Sequence, residues 1–408
     1  MKRIGMGLVG PGFIAAHHID AVRRLGDVDI VGVAGSTQES AARKAKQLGV
    51  ARAYGDYHDL IADPDIDVVH ITTPNYLHFP VAMAALQKGK HVISDKPLAM
   101  TAEEGRKLRD AALEAKVANV VTFNYRGNPL VEQARCMIAK GELGEVRFVH
   151  GVYLQDWMTD PHVYSWRSDP SKGGMSSALG DIGSHWCDLV EHICGAKIEA
   201  VIADLSTTIP VRYTTGVSAE AFSSDRPRKH NPVRVDGEDL ASVLLRFENG
   251  ARGSVSVGQA LPGHKNDLQV EVCGSAMSLK WKQEQQNELW IGYHDRPNCV
   301  LSKDPTLVAP EVRPYIHLPG GHQESWSDAF YNVIRDAYCW VSERGAPEAK
   351  LPMLPTFCDG YRSACVVEAM LRSHASGNTW ERVMYVPGIS EAASGQTRTA
   401  GRQEASIQ

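Results

Sequence analysis

The chain has 408 residues and no Cys-x-x-Cys pair; its eight cysteines stand singly. A thiolate zinc cage or a dithiol redox motif is thereby excluded. Isolated thiols in a long chain fit buried side chains in a reducing cytoplasm. No apolar run approaches the ~18 residues of a membrane span. Two basic residues open the chain, but glycines break the apolar run and His17 and His18 follow, so the start reads as strand, turn and helix rather than signal peptide. Basic clusters are also missing. The net charge is -5, and the short run DRPRKH, Asp225 to His230, reads as a solvated loop, so no nucleic-acid footprint is present. Internal repeats are absent. What remains is a globular composition, 43% hydrophobic and 22% charged, long enough for more than one core.

The first part alternates β-rich runs (RIGMGLV, DIVGVA, DVVHIT, KHVIS, ANVVTF) with helical patterns. That alternation predicts an α/β fold: a parallel sheet covered by helices on both faces, over residues 1–125. After Tyr125 the pattern changes to a helix, a strand, a loop rich in Trp, Asp and Pro, another helix and then alternating strands to about Gly292. Two helices follow. Residues 126–387 therefore read as an α+β domain on a large, mostly antiparallel sheet. Residues ~214–235 read as a long surface loop, and 388–408, small and polar, as a disordered tail.

Directly after the first strand comes Gly10-x-Gly12-x-x-Ala15, opening a helix. The first glycine permits a tight turn and the second lets backbone approach a pyrophosphate. The small third residue allows close helix–strand packing, and the helix N-terminus offers amides. The turn, with Phe13 and Ile14, is expected to bind a dinucleotide. The second strand ends at Gly35, Ser36 and Thr37, with no acid for the ribose hydroxyls of NAD and no adjacent Arg for a 2′-phosphate. Ser36 is expected at the ribose. Arg43 and Lys44, two turns on, read as an exposed helix face. NAD is favoured weakly, with NADP possible.

The stretch LGDIGSHWCDLVEH spaces Asp181, His185, Asp188 and His192 by four, three and four, one face of a helix. A straight helix spreads eleven residues over ~16 Å, too far for one ion, so no metal site is expected. Asp181 and His185 can share one substrate; Asp188 and His192 read as structural polar residues. Oxidising a secondary alcohol needs a proton acceptor titrating near working pH, for which histidine is suited, and a nearby ammonium to stabilise the alkoxide. Trp157 and Trp166 flank the loop before this helix, among Gln155, Asp156 and Arg167. Aromatic faces beside such partners suit the C–H face of a pyranose. His17 and His18 read as ordinary helix residues.

Together the glycine loop, TTPNYLH, SDKPLAM and GDIGSHWCD resemble the Gfo/Idh/MocA oxidoreductases, in family order and over nearly the whole chain. YLQDW, SWR and GGHQESWSDAF resemble most the branch of levoglucosan dehydrogenase and other pyranoside 3-dehydrogenases. The resemblance implies a catalytic trio of Lys96, Asp181 and His185. It implies a cofactor lined by Thr73, Pro74, Asn75 and His78, with Asn124 and Arg126 near the nicotinamide end. The family usually has Glu before the lysine; here Asp95 is a methylene shorter. The expected substrate-binding set is Lys96, Arg126, Gln155, Trp157, Trp166, Arg167, Asp181 and His185.

The function expected is NAD(P)-dependent oxidation of a ring hydroxyl of a neutral sugar, glycoside, anhydrosugar or cyclitol. Two alternatives stay open: a redox-neutral enzyme that oxidises transiently with tightly held NAD, and a non-catalytic NAD-binding sensor. Alternating strands with apolar residues on their free face, and the family resemblance, imply a homodimer or homotetramer.

Overall fold

The computed structural model describes residues 3–214, 231–342 and 353–388. Six parallel strands form the first sheet: β1 (Ile4–Val9), β2 (Val28–Ala34), β3 (Arg52–Tyr54), β4 (Val68–Ile71), β5 (His91–Ser94) and β6 (Asn119–Val121). Their order is β3-β2-β1-β4-β5-β6. Strands buried on both faces read as continuous apolar runs, as β4 does with all four residues buried. The order reverses between β1 and β4, and a ligand crevice belongs at the carboxyl ends beside that switch. Arg-Ala-Tyr of β3 is too short to have shown in the sequence.

The second half contains β7 (Val146–Leu154), β8 (Ile198–Ser206), β9 (Val211–Thr214), β10 (Asn231–Arg234), β11 (Leu240–Phe247), β12 (Arg252–Gly258), β13 (Asp267–Gly274), β14 (Met277–Lys282), β15 (Glu288–Tyr293), β16 (Cys299–Ser302) and β17 (Glu381–Arg382). Nine of these make one sheet in the order β16-β15-β14-β13-β7-β12-β11-β8-β17. Only the β12–β7 pairing is parallel. Residues 231–234, expected in a long loop, instead form β10, which pairs antiparallel with β9. The DRPRKH run and most of the expected tail lie outside the described residues.

Strict alternation along β11 buries Ala241, Val243, Leu245 and Phe247 and turns Ser242, Leu244 and Arg246 outward. The inner face packs on the helices Pro129–Ala139, Ser184–Cys194 and Phe357–Ala375. The outer face carries exposed Phe148, Leu244 and Val300 among Lys280, Lys282 and Glu271.

The helix Trp326–Ser342 returns to the first sheet, where Phe330, Val333 and Ile334 join Met6 and Leu8 in one core. Each such side chain, fully buried, contributes about 1.5–3 kcal/mol. That burial holds the helix against the nucleotide end, where Trp326 and Phe330 become part of the crevice wall. Of the eight cysteines, none bridged, four are buried, but Cys299 and Cys339 are exposed, unlike the uniformly buried thiols expected.

Candidate active site

A cavity of about 1000 Å³ runs from the carboxyl ends of β1, β2, β4 and β5 to the second sheet. At its nucleotide end, Gly10 has φ +89°, and a Cβ there would lie 2.7 Å from the Thr73 backbone nitrogen. Only glycine serves. A Cβ on Gly12 would meet nothing nearer than 4.0 Å, so backbone faces open space, as a pyrophosphate requires. The helix Ala15–Leu25 starts at Ile14 with no side-chain cap and no acid in its first turn. Its leading amides and positive dipole end are thus left for an anion. Phe13, Ser36, Thr73, Pro74, Asn75 and Asn124 line the same cavity. The Thr73 hydroxyl and the Asn124 amide nitrogen are buried with no hydrogen-bond partner among the described residues. Orphaned polar atoms of this kind fit a polar ligand. Lys44, read from sequence as exposed, instead reaches the wall beside Ser36 and Ser40.

Lys96 follows β5. Asp95 Oδ1 accepts from the Lys96 amide (2.9 Å) and the Thr122 hydroxyl (2.9 Å), fixing the loop. Lys96 Nζ donates to the Asp181 carbonyl (2.5 Å) and Oδ1 (2.7 Å). Arg167 Nε lies 3.3 Å from that Oδ1, and Gln259 Nε2 donates to Oδ2 at 2.7 Å. Burial works to raise the Asp181 pKa, but Lys96, Arg167 and Gln259 together hold it far below the usual carboxylate range. Asp181 is a permanent anion.

The helical segment bearing Asp181 is not the uninterrupted α-helix expected. Leu179–Gly183 is a π turn, followed by the α-helix Ser184–Cys194. Such turns re-aim side chains and recur at functional sites. The buried Glu238 carboxylate accepts from the Ser177 and Leu179 amides (both 2.9 Å), and Ser176 Oγ from the Gly180 amide (2.6 Å), so the irregular start leaves these donors satisfied.

His185 stands one turn on, 7% exposed. Phe123, Tyr125 and Tyr153 surround it at ring-centroid distances of 5.6, 5.1 and 6.4 Å. Burial first, and the Lys96 charge second, push its pKa well below the ordinary histidine value. It is neutral at pH 7, with a lone pair available to a proton. Nδ1 is buried without a partner among the described residues, which leaves Nε2 as the nitrogen for the cavity that His185 lines. Gln155, Trp157, Trp166 and Arg167 complete this end. The Arg167 guanidinium lies 4.4 Å from the Trp166 ring centre, and Trp157 donates its indole N–H to Gln155 (2.9 Å).

Two expected site residues are placed elsewhere. Arg126 is buried away from the walls, bidentate on Asp188 (2.8 and 2.5 Å) and bonded to Asp359 (2.9 Å); its Nε and Nη2 are used by carboxylates. His78 lies beneath the loops, its ring nitrogens 2.6 Å from the Pro97 carbonyl and 2.9 Å from that of Thr73. It braces the loops bearing Lys96 and Thr73 and does not line the cavity. Sequence reasoning missed His17, Tyr125, Tyr153, Gln259, Lys265, Asn266 and Trp326. Tyr153 was within reach, since the strand period of two puts it on the face of Gln155; Gln259 and Asn266 carry no local signal.

Residues 4–123 match the family model described as "Oxidoreductase family, NAD-binding Rossmann fold", and residues 131–280 match "GFO/IDH/MocA C-terminal domain". The chain belongs to the Gfo/Idh/MocA family. It is an NAD-binding oxidoreductase, and the glycine turn and uncapped helix start are where that family's fold receives the dinucleotide. Levoglucosan dehydrogenase of Pseudarthrobacter phenanthrenivorans is 33% identical over 96% of this chain and 100% of its own. A solved levoglucosan dehydrogenase in complex with NADH and L-sorbose superposes with a TM-score of 0.84 at 31% identity, covering 95% of this chain and all of that one. Glucose-6-phosphate 3-dehydrogenase of Bacillus subtilis is more distant, 24% identical over 90% of this chain and 95% of its own.

Among the described residues no helix is long and apolar enough to cross a membrane. One group with metal-ligand spacing occurs there, His150, Glu271 and Cys273, outside the cavity walls. Its Glu271 carboxylate is paired with Lys280 at 2.6 Å.

Proposed function

We propose that the enzyme oxidises a secondary ring hydroxyl of a neutral sugar, glycoside, anhydrosugar or cyclitol to a ketone, with C3 of a pyranoside as the favoured position. One observation carries the reading: a neutral imidazole and an ammonium held by a permanent carboxylate share one cavity with the dinucleotide turn and two tryptophans. Bound there, NAD supplies the hydride acceptor. His185 Nε2 takes the hydroxyl proton. Lys96 stabilises the alkoxide, which an ammonium does without moving a proton of its own. Asp181 and Gln259 aim Lys96, and the Trp157 and Trp166 rings offer a face for the C–H side of a pyranose.

The relatives support this substrate class: levoglucosan dehydrogenase has been solved in complex with NADH and levoglucosan. The name of glucose-6-phosphate 3-dehydrogenase supports the position. We place the enzyme in the cytoplasm on its unbridged cysteines. We assign it a homo-oligomer packed through the outer face of the nine-stranded sheet, where Phe148, Leu244 and Val300 lie exposed. A panel of levoglucosan, pyranosides and cyclitols with NAD tests the reaction by NADH absorbance. Net NADH with a ketone product is expected. Product formed without net NADH would transfer the enzyme to the redox-neutral class.

A further inference from the structure

A closed hydrogen-bonded ring stands in the cavity wall. The Tyr153 hydroxyl donates to Asn266 Oδ1 (2.8 Å), and Asn266 Nδ2 donates to the Tyr125 hydroxyl (3.1 Å). The two hydroxyls lie 2.7 Å apart. Because the single Tyr153 hydrogen is committed to Asn266, Tyr125 donates in the third link, and the ring runs in one sense. Gln155 Nε2 adds a second bond to the same Oδ1 at 3.0 Å. Burial raises the pKa of both phenols, so both keep their protons. The ring spans the fold: Tyr125 follows the first sheet, Tyr153 lies on β7 and Asn266 immediately precedes β13.

The same two tyrosine rings enclose the base. Tyr125 and Phe123 meet His185 edge-on at interplanar angles of 67° and 79°, and Tyr153 lies tilted to it at 60°. A catalytic histidine is ordinarily aimed by a hydrogen bond to its far nitrogen, and His185 Nδ1 has none among the described residues. Aromatic walls are what remains to set the imidazole angle and to keep water from Nδ1.

We infer that Asn266 is a positioning residue for His185: by closing the ring it locks the two tyrosine faces that aim the imidazole and seal its buried nitrogen. The inference rests on reading His185 as the proton acceptor. The charged groups that act on His185 among the described residues are Lys96 and Asp181; the rings of Phe123, Tyr125 and Tyr153 packed around it are neutral. Both charges stay in place when the ring is opened, so a change in His185 titration reports the seal itself. The Asn266 backbone is anchored separately, its amide donating to Glu284 Oε1 at 2.8 Å.

The test compares wild type with Asn266→Leu, which keeps side-chain size, and with Tyr153→Phe, which deletes one hydroxyl and leaves the ring face. The NMR titration of His185, assigned with His185→Gln, is read in the NAD-bound enzyme. Wild type should titrate well below 6.5. Opening the ring admits water and should raise the proton affinity of His185 about threefold or more, toward the ordinary histidine value. With levoglucosan and NAD as probe, kcat should fall about tenfold, as misaimed catalytic groups cost. In a His185→Gln background the same substitutions should cost no further turnover. Unchanged His185 titration in both variants, or an equal further loss without His185, would overturn the inference. Failure of the underlying reading looks different: His185→Gln alone would then retain turnover. Should Asn266→Leu fail to fold, Tyr153→Phe decides, and the titration stands whether or not levoglucosan is turned over.

Discussion

Asp181 with His185 and Asp188 with His192 are the same residue pair at the same spacing of four, on neighbouring turns of one segment, and they meet opposite fates. Lys96 Nζ bonds Asp181 at the cavity edge, and His185 has no partner at Nδ1 among the described residues. Asp188 faces Arg126, and His192 faces Glu132, at 5% and 2% side-chain exposure. The second pair is consumed by partners from the helix Pro129–Ala139 and the turn before it; the first is left able to act. Residue type and periodicity identify candidates, and tertiary partners decide which remain chemically available.

The comparison breaks most sharply at the base. His185→Ala should lower kcat by about 10² or more, the usual contribution of a general base. NAD affinity, followed by protein fluorescence, should barely change. Lys96→Ala should cripple turnover as well, since the alkoxide loses its nearest cation. His192→Ala should leave kcat near wild type. The pH profile sharpens the same point. A base must be neutral to act, and burial and Lys96 depress the His185 pKa, so kcat/KM should stay on its plateau as pH falls through 6.5 and decline only below it. A limb at or above 6.5 would remove His185 from the role.

At the paired end the expected effect is on stability. Arg126→Ala strands Asp188 as a buried carboxylate and takes one partner from the half-buried Asp359, and breaking a buried pair costs about 3–5 kcal/mol. Urea unfolding should show that loss, with sugar and NAD KM in the folded enzyme little altered. Intact stability with a raised KM would return Arg126 to the substrate role that the family resemblance implied.

The Rossmann half was legible because each device there is local: Gly10 and Gly12 act within one turn, and the strand–helix alternation repeats at short range. The proposed trio of Lys96, Asp181 and His185 was suggested only by motifs, since Lys96 and Asp181, which the fold brings together, are 85 residues apart. Arg126 was misread because its partner Asp359 lies 233 residues away. Lys44 was misread because an exposed and a cavity-facing position on one helix look alike in sequence. The π turn at Leu179–Gly183 is held by Glu238, more than fifty residues downstream, and nothing in LGDIG announces it.

Substrate charge should show an effect of about tenfold or more between a neutral glycoside and its uronic acid or phosphate. The cations near the reacting end are engaged: Lys96 and Arg167 with Asp181, and Lys265 with Asp156 at 2.5 Å. An anion would have to draw a cation away from Asp181 or Asp156 and would then sit beside those carboxylates, and both are unfavourable. Initial rates at equal concentration decide; a preference for either anion would make Arg167 the first residue to mutate.

The smallest effect lies at the other end of the cavity. β2 runs into Gly35, Ser36 and Thr37, with no carboxylate to accept the two ribose hydroxyls. Thr37 is spent as a helix cap, its hydroxyl accepting from the Ser40 amide at 3.1 Å. The wall there presents Ser36, Ser40 and Lys44, which suit a 2′-phosphate, but also Asp56, which repels one. Asp56 accepts from the His58 amide at 2.9 Å, so its charge is fixed toward that loop. With one cation set against one anion at a solvated site, neither cofactor gains much. NAD should be preferred over NADP by less than about tenfold in kcat/KM, that is by under about 1.4 kcal/mol. Lys44→Ala should widen the preference by a few-fold at most, since a solvated charge pair contributes about 0.2–1 kcal/mol. Parallel kcat/KM measurements on one sugar check both numbers. A tenfold preference for NADP would show that Lys44 dominates that wall and that Asp56 does not offset it.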